Sequence, residues 1–325
     1  MKTVEEFKAY YREQMLPVLQ GLETDRKRKL FWIRVMTFAL VPVYFACSLK
    51  LYDIMHNVVG SMVFSLFFCL GFWLVGYGTA YNAYITGYNA AVTKRILSFI
   101  NPSLAYYHNV RILLEQVLKS NIFLDAPYYM GGSDYIAGTV GKTRIAFSHV
   151  NIVFRSGRKY AAGRLPARNS TAFRGIFFVA DFNKNFRGRT VVLPDTAQRL
   201  FGEGLGGALQ SRNTSRGQLV KLEDPEFERL FVVYGDDQIE ARYILSPGLM
   251  ERITNFRRKV GRVVYLSFVE NKLRMAIPYA NKISKPQLST TALDFSKIED
   301  QFRQMELFID IVEDLNLNTH IWGKA

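Results

Sequence analysis

From Ile54 to Thr93 the chain carries no Asp, Glu, Lys or Arg, and within that stretch Val58 to Tyr77 (VVGSMVFSLFFCLGFWLVGY) is apolar almost throughout. A helix needs roughly 20 such residues to cross the hydrocarbon core of a bilayer, so this segment reads as a membrane span. An earlier stretch, Phe31 to Leu49 (FWIRVMTFALVPVYFACSL), carries Arg34 near its start and Pro42 near its middle. Both fit a second span. Arg34 can snorkel to the head groups, and a spanning helix tolerates proline better than an exposed soluble one. The polar link from Lys50 to Asn57 joins them, so the pair reads as an antiparallel hairpin.

The flanking charges orient this hairpin. Arg26, Lys27, Arg28 and Lys29 precede the first span and Lys94 and Arg95 follow the second, whereas in the link Lys50 is balanced by Asp53. The positive-inside rule then places both termini in the cytoplasm, which predicts a multi-pass membrane protein. The competing reading of the first span, a cleaved signal peptide, fits less well. The apolar block begins only after about thirty residues, and no small-x-small cleavage pattern precedes the link.

Ahead of the spans, Val4, Phe7, Tyr11, Met15 and Leu19 fall near helical spacing and predict a cytoplasmic amphipathic helix, packed on the membrane surface or on the protein's own helices. Beyond Tyr77 the second span runs on as a stalk. Thr79, Ala83, Gly87 and Ala91 form a small-residue face and Tyr77, Tyr81, Tyr84 and Tyr88 an aromatic one. Small residues at every fourth position let a second helix approach closely. That face is a candidate packing seam, either for a homo-oligomer or for another helix of the same chain, the N-terminal helix or one spanning Ser103 to Lys119.

From about Tyr128 short apolar runs alternate with turn residues. Tyr135–Val140 and Thr143–Phe154 read as a hairpin about Gly141-Lys142, and Phe173–Phe182 and Thr190–Leu193 as another pair. Phe231–Tyr234 and Ile239–Leu245 read as two strands about Gly235-Asp236-Asp237. Ser246-Pro247 opens a helix to about Lys259, Val263–Val269 and Leu273–Tyr279 form a last hairpin, and Ser296 with Glu299 supplies a capping box for a final amphipathic helix. The expected class is α+β, a mostly antiparallel sheet domain closed by a C-terminal amphipathic helix. The expected organisation is a cytoplasmic helix and basic flank over 1–29, a transmembrane hairpin over 30–78, a helical stalk over 79–126 and a cytoplasmic α+β domain over 127–325.

The runs Phe173-Arg174-Gly175-Ile176-Phe177, Asp181-Phe182-Asn183-Lys184, Leu193-Pro194-Asp195, Lys221-Leu222-Glu223-Asp224-Pro225-Glu226-Phe227 and Val233 to Pro247 (VYGDDQIEARYILSP) resemble a bacterial family known as domain of unknown function three-one-three-seven. The resemblance covers roughly residues 80 to 280. It implies two N-terminal membrane segments before a cytosolic domain, and a LemA-type membrane protein as a partner. It brings no catalytic residue.

Chemistry is sparse along the chain. Cys47 and Cys69 fall inside the spans, where they read as packing residues. His56, His108, His149 and His320 show no metal-ligand spacing, and no P-loop, zinc-protease, hydrolase or kinase motif occurs. No cofactor is expected. Gly202, Gly204, Gly206 and Gly207 read as a loop. The enzyme alternative is a metal-dependent hydrolase or nuclease built on Glu223, Asp224, Asp236, Asp237 and Glu240. Against it, Asp224 can cap the turn opened by Pro225, Asp236 and Asp237 can make a solvated turn, and Glu240 can pair with Arg242.

The charge pattern says more. The chain has 325 residues and a formal net charge of +14. Most of that excess lies between Lys142 and Arg216, where Lys and Arg greatly outnumber Asp181, Asp195 and Glu203. On a domain tethered to an anionic leaflet each nearby basic residue gains on the order of 1 kcal/mol. Arg155, Arg158, Lys159, Arg187 and Arg189 are therefore candidate contacts to acidic lipid head groups or an acidic protein partner. Nucleic acid is the weaker rival, since no recognition motif accompanies the charge. The expected function is a non-enzymatic membrane scaffold or adaptor.

Overall fold

A computed structural model describes residues 2–123, 127–154, 170–195, 216–279 and 286–318. The chain divides into two units, one comprising Met1–Phe99 and Ser284–Asp300, the other Ile100–Ile283 and Gln301–Ala325.

The first unit is helical. Thr3 caps α1 (Val4–Tyr10) through a reciprocal box, its Oγ1 accepting from the Glu6 N–H at 3.2 Å while Glu6 Oε2 accepts from the Thr3 N–H at 2.8 Å. One π-helical turn (Tyr11–Met15) leads directly into α2 (Leu16–Met55). At 1.5 Å per residue α2 is about 60 Å long, twice the hydrocarbon thickness, so the amphipathic segment and the first apolar span are one continuous rod. Pro42 lies inside it. The expected link from Lys50 to Asn57 is shorter than the sequence suggested, because α2 runs on to Met55. His56 then takes a left-handed φ of 48° and Asn57 caps α3 (Val58–Tyr88), its Oδ1 accepting from Gly60 N–H at 2.9 Å. A second π turn (Asn89–Thr93) and α4 (Lys94–Ile100) extend α3 as the predicted stalk.

Among the described residues the second unit carries an open, wholly antiparallel sheet of nine strands. In sequence order these are β1 (Leu104–Tyr107), β2 (Pro127–Val140), β3 (Thr143–Phe154), β4 (Ser170–Asp181), β5 (Thr190–Pro194), β6 (Gln218–Val220), β7 (Phe231–Gly235), β8 (Tyr265–Val269) and β9 (Lys272–Pro278). They lie in the order β1-β2-β3-β4-β9-β8-β5-β7-β6, with β1 and β6 at the edges. The helices are α5 (Leu114–Lys119), α6 (Pro225–Leu230), α7 (Gln238–Ile244), α8 (Pro247–Val260), α9 (Phe295–Ile309), which belongs to the first unit up to Asp300, and α10 (Ile311–Asp314). The α+β class is therefore as expected.

Both sheet faces are apolar. Ile112, Val117 and Ile122 around α5 pack with Met130, Val150, Ile152, Phe173, Phe177 and Val179 on one face. Phe147 and Phe178 point the other way, with the Phe147 ring 5.9 Å from that of Phe308. Burying each such side chain stabilises the fold by roughly 1.5–3 kcal/mol.

Four expectations need correction. Ser103–Lys119 is not one helix. Pro102 has no N–H to continue α4, the Asn101 side chain accepts from Ser103 N–H at 2.9 Å and donates to Thr139 O at 3.0 Å, and the next four residues pair with Tyr135–Gly138 as β1. The helical stalk therefore ends at Ile100, short of residue 126. Phe173–Phe182 and Thr190–Leu193 do not pair with each other, because β4 lies between β3 and β9 while β5 lies between β8 and β7. Ile239–Leu245 is helix α7, not a strand, because Asp237 Oδ1 accepts from the Ile239 and Glu240 N–H groups at 2.7 and 3.0 Å and starts a helical turn. The last helix is capped by Asp294, whose Oδ1 accepts from Ser296 N–H at 3.2 Å, and not by Ser296.

Candidate functional site

The hairpin of α2 and α3 is built on small residues. Ser61, Ser65 and Cys69 recur on one face of α3 and are buried, as is Ser48 on α2. Gly76 continues the line, since a Cβ there would stand 2.7 Å from Met36 Sδ. Without side-chain bulk the helices approach closely, the packing mode available where no hydrophobic force separates protein from lipid. The Ser48 and Ser61 hydroxyls return to their own helices, to Tyr44 O and Asn57 O at 2.8 and 2.9 Å, and Trp73 Nε1 donates to Thr37 Oγ1 at 2.9 Å.

The outward faces are the reverse. Phe38, Val59, Phe67 and Val75 are 76%, 71%, 69% and 70% exposed, and Phe31, Trp32, Phe45 and Phe64 are also exposed. A contiguous belt of that size is far beyond what a water-facing surface carries. Both helices are long and apolar enough to cross a membrane. Of the small-residue face read from the sequence, Thr79 and Ala83 are exposed, Ala91 is half-buried, and Gly87 faces Leu22, whose Cδ2 would be 3.6 Å from an added Cβ.

Beyond the spans, a buried ion pair clamps α2 to residues 286–294. Arg26 Nη2 and Nε lie 2.6 and 2.9 Å from the two Glu23 carboxylate oxygens. Arg26 Nη1 also donates to Leu288 O at 2.5 Å, and Glu23 Oε2 accepts from Ala292 N–H at 2.9 Å. Tyr11 adds a bond from its hydroxyl to Leu293 O at 2.9 Å. The Arg26 hydrogen bonds outweigh desolvation and hold the Glu23 carboxyl down at about 2, while burial pushes the nearby Tyr84 hydroxyl up to about 12. Sequence inspection missed this clamp, because an i,i+3 Glu–Arg pair looks like an ordinary solvated helix face.

The acidic constellation is occupied by structural work. Asp224 Oδ1 caps α6 by accepting from Glu226 and Phe227 N–H at 3.0 Å, and Asp237 caps α7. Asp236 forms a bidentate pair with Arg189, at 2.9 and 3.0 Å, and also accepts the Arg189 backbone N–H. The guanidinium holds the Asp236 carboxyl below its ordinary range. Glu240 accepts from the Arg187 and Gly188 N–H groups, both at 2.7 Å, and a side chain at Gly188 would collide with it. Glu240 therefore cradles a turn and is not a strand neighbour of Arg242, which reaches Lys221 O instead. Glu223 is exposed. Among the described residues no group of three or more His, Cys, Asp or Glu is placed to hold a metal ion.

Of the candidate basic contacts, Arg155, Arg158 and Lys159 lie outside the described residues, as do Gly202, Gly204, Gly206 and Gly207. Arg189 is committed to Asp236. Arg187 is exposed at the tip of the turn that Glu240 holds, and its guanidinium meets no partner among the described residues.

A further polar cluster sits inside β2. Asp134, only 1% exposed and at a φ of 63°, occupies a register shift between Ser133 and Ile136. It accepts from Tyr106 Oη at 2.7 Å and Ser133 Oγ at 2.8 Å and contacts His108 Nδ1 at 3.1 Å. Burial pushes its carboxyl up, but the bonds from His108, Tyr106 and Ser133 win and leave it below the ordinary value. The Gly131-Gly132-Ser133-Asp134 run interrupting a strand pattern was the available signal. Replacing Asp134 with Ala should cost about 1–3 kcal/mol by stranding these donors. Because its folded pKa is depressed, the contribution is complete above the ordinary aspartate value and fades as pH falls through the lower folded one. Thermal denaturation of both forms between pH 7 and pH 3 checks this, with the gap between them narrowing only toward the acid end.

Residues 171–317 match the model of a family described as "Protein of unknown function (DUF3137)". Comparison with curated proteins finds no match. The crystal structure of the mycobacterial trehalose monomycolate transport factor A, TtfA, aligns over 69% of this chain and 95% of its own, at 9% identity and a TM-score of 0.29, a likeness too low to bear on fold or function.

Proposed function

We propose, for a chain whose residues 171–317 belong to the DUF3137 family of proteins of unknown function, that it is a membrane-anchored scaffold of the bacterial inner membrane. The apolar belt on the outward faces of α2 and α3 carries this reading, because only lipid accommodates that surface without aggregation. Lys and Arg at both ends of the hairpin, against a near-neutral turn at His56-Asn57, favour both termini in the cytoplasm. The capping and pairing roles of Asp224, Asp236, Asp237 and Glu240 support a non-enzymatic role, since their oxygens are already used.

In this reading the basic α+β domain docks on acidic lipid or on an acidic membrane-protein partner, with Arg187 among the contacts. Full-length protein in nanodiscs tests it. Amide exchange across residues 183–189 should slow in anionic relative to neutral lipid, and the difference should shrink in high salt and in Arg187→Ala. Equal exchange in both lipids at low salt would contradict lipid docking.

A further inference from the structure

Between the loop after β4, the start of α8 and the end of α10 lies a cavity of 260 Å³. Its floor is apolar, with Phe182, Leu249 and Leu315 all buried. Its rim is cationic, with Lys184 and Arg252, and no Asp or Glu appears among the described residues lining it. The two cations are held differently. Lys184 Nζ donates to Tyr243 O at 2.6 Å and Ile244 O at 3.2 Å and lies 4.8 Å from the Tyr243 ring centroid, so it is fixed in place without a counter-ion. Arg252 is exposed and has no partner among the described residues.

Two neutral donors face the same space. Ser246 opens α8, yet its hydroxyl caps no backbone group. Gly248, at the rim, has nothing within 4 Å of where a Cβ would stand, so a ligand can approach its backbone closely. A fixed ammonium, a guanidinium and a hydroxyl uncommitted among the described residues, and an apolar floor with no carboxylate in its described lining, match an anion on a short carbon skeleton whose C–H groups can lie on that floor. Guanidinium and ammonium groups with hydroxyl donors suit the oxygens of a phosphate.

We propose that this cavity binds a phosphate monoester or diester carried on a small polyol, with the phosphate between Arg252 and Lys184 and the carbon skeleton over Leu249 and Leu315. The volume, slightly below that of drug-sized pockets, suits a group the size of glycerol phosphate. The inference does not rest on the membrane-docking reading, whose named contact is Arg187, although Lys184 lies within the segment 183–189 on which that reading is tested. The same chemistry has two sources, a soluble phosphorylated metabolite or a phospholipid head group.

The test uses full-length protein in neutral phosphatidylcholine nanodiscs, titrated with glycerol 3-phosphate and, as control, glycerol with chloride. Saturable binding by calorimetry is expected with glycerol 3-phosphate alone, weakened about tenfold in Arg252→Ala, as one lost charged hydrogen bond implies. Arg252 is exposed and unpaired, so this variant should fold normally, which its unfolding midpoint confirms. In phosphatidylglycerol nanodiscs, a loss of glycerol 3-phosphate affinity that Arg252→Ala abolishes identifies the head group as the occupant. Unchanged affinity there identifies the soluble ester. No saturable binding in neutral discs combined with no Arg252-dependent protection of residues 246–252 in phosphatidylglycerol discs overturns the proposal, as does binding that Arg252→Ala leaves intact.

Discussion

Replacing Glu23 with alanine is expected to cost about 3–5 kcal/mol, because it leaves Arg26 buried with its charge uncompensated. Among the described residues Arg26 keeps only Leu288 O as an acceptor, and Ala292 N–H loses the partner it has there. The damage should centre on residues 286–294. Their amides should exchange about two to three orders of magnitude faster, while those of β3 and β4 stay protected. A double change, Glu23→Leu with Arg26→Met, removes both charges and should recover most of the loss, since well-packed apolar residues often match a buried pair in stability. The pH dependence has a defined sign. The Glu23 carboxyl is depressed from 4.5 to about 2, so its contribution is complete above 4.5 and disappears as pH falls through 2. Unchanged exchange at Ala292 in the single variant would show that the clamp does not form.

Placing arginine at Phe67, near the middle of the second span, should oppose membrane insertion by about 2.5–3.5 kcal/mol on insertion scales. Phe67 is exposed on the outward face, so the charge would meet lipid and not the α2 seam. The same substitution at Tyr243, exposed on α7 of the second unit, should leave insertion untouched. Alkaline extraction of membranes separates the outcomes. Wild type and Tyr243→Arg should stay in the pellet, whereas Phe67→Arg should be partly released or degraded. A Phe67→Arg protein retained like wild type would mean that this face does not contact lipid.

The two helices long and apolar enough to cross a membrane were legible because that property depends on composition alone: an uncharged run of spanning length needs no knowledge of distant residues. Local caps were partly legible. Asp224-Pro225 announced a capped turn, which the structure extends into α6, but Asp237 announced no cap, because Ile239-Glu240-Ala241-Arg242-Tyr243 alternates like a strand and only the cap at Asp237 decides for a helix. Long-range pairing was not legible. Thr190–Leu193 carries no mark that it joins β7 and β8 instead of β4, since those partners follow it by more than thirty residues. The Glu23–Arg26 clamp was hidden for the same reason, its partners, the acceptor Leu288 O and the donor Ala292 N–H, lying more than 260 residues further along the chain. The acidic residues show the converse. Their spacing suggested a metal site, and the geometry commits four of them, Asp224, Asp236, Asp237 and Glu240, to backbone N–H groups or Arg189, while Glu223 is exposed.

The central claim, a helical hairpin that crosses the bilayer and leaves both ends on one face, is tested most directly by cysteine accessibility in intact cells. Cys47 and Cys69 are first replaced by alanine, and single cysteines are then placed at Lys2, Asn57 and Asn318. A membrane-impermeant maleimide should label Asn57→Cys in intact cells, and should label Lys2→Cys and Asn318→Cys only after the inner membrane is permeabilised. Labelling of Lys2→Cys and Asn57→Cys under the same condition would place both ends of α2 on one side of the membrane and contradict the account.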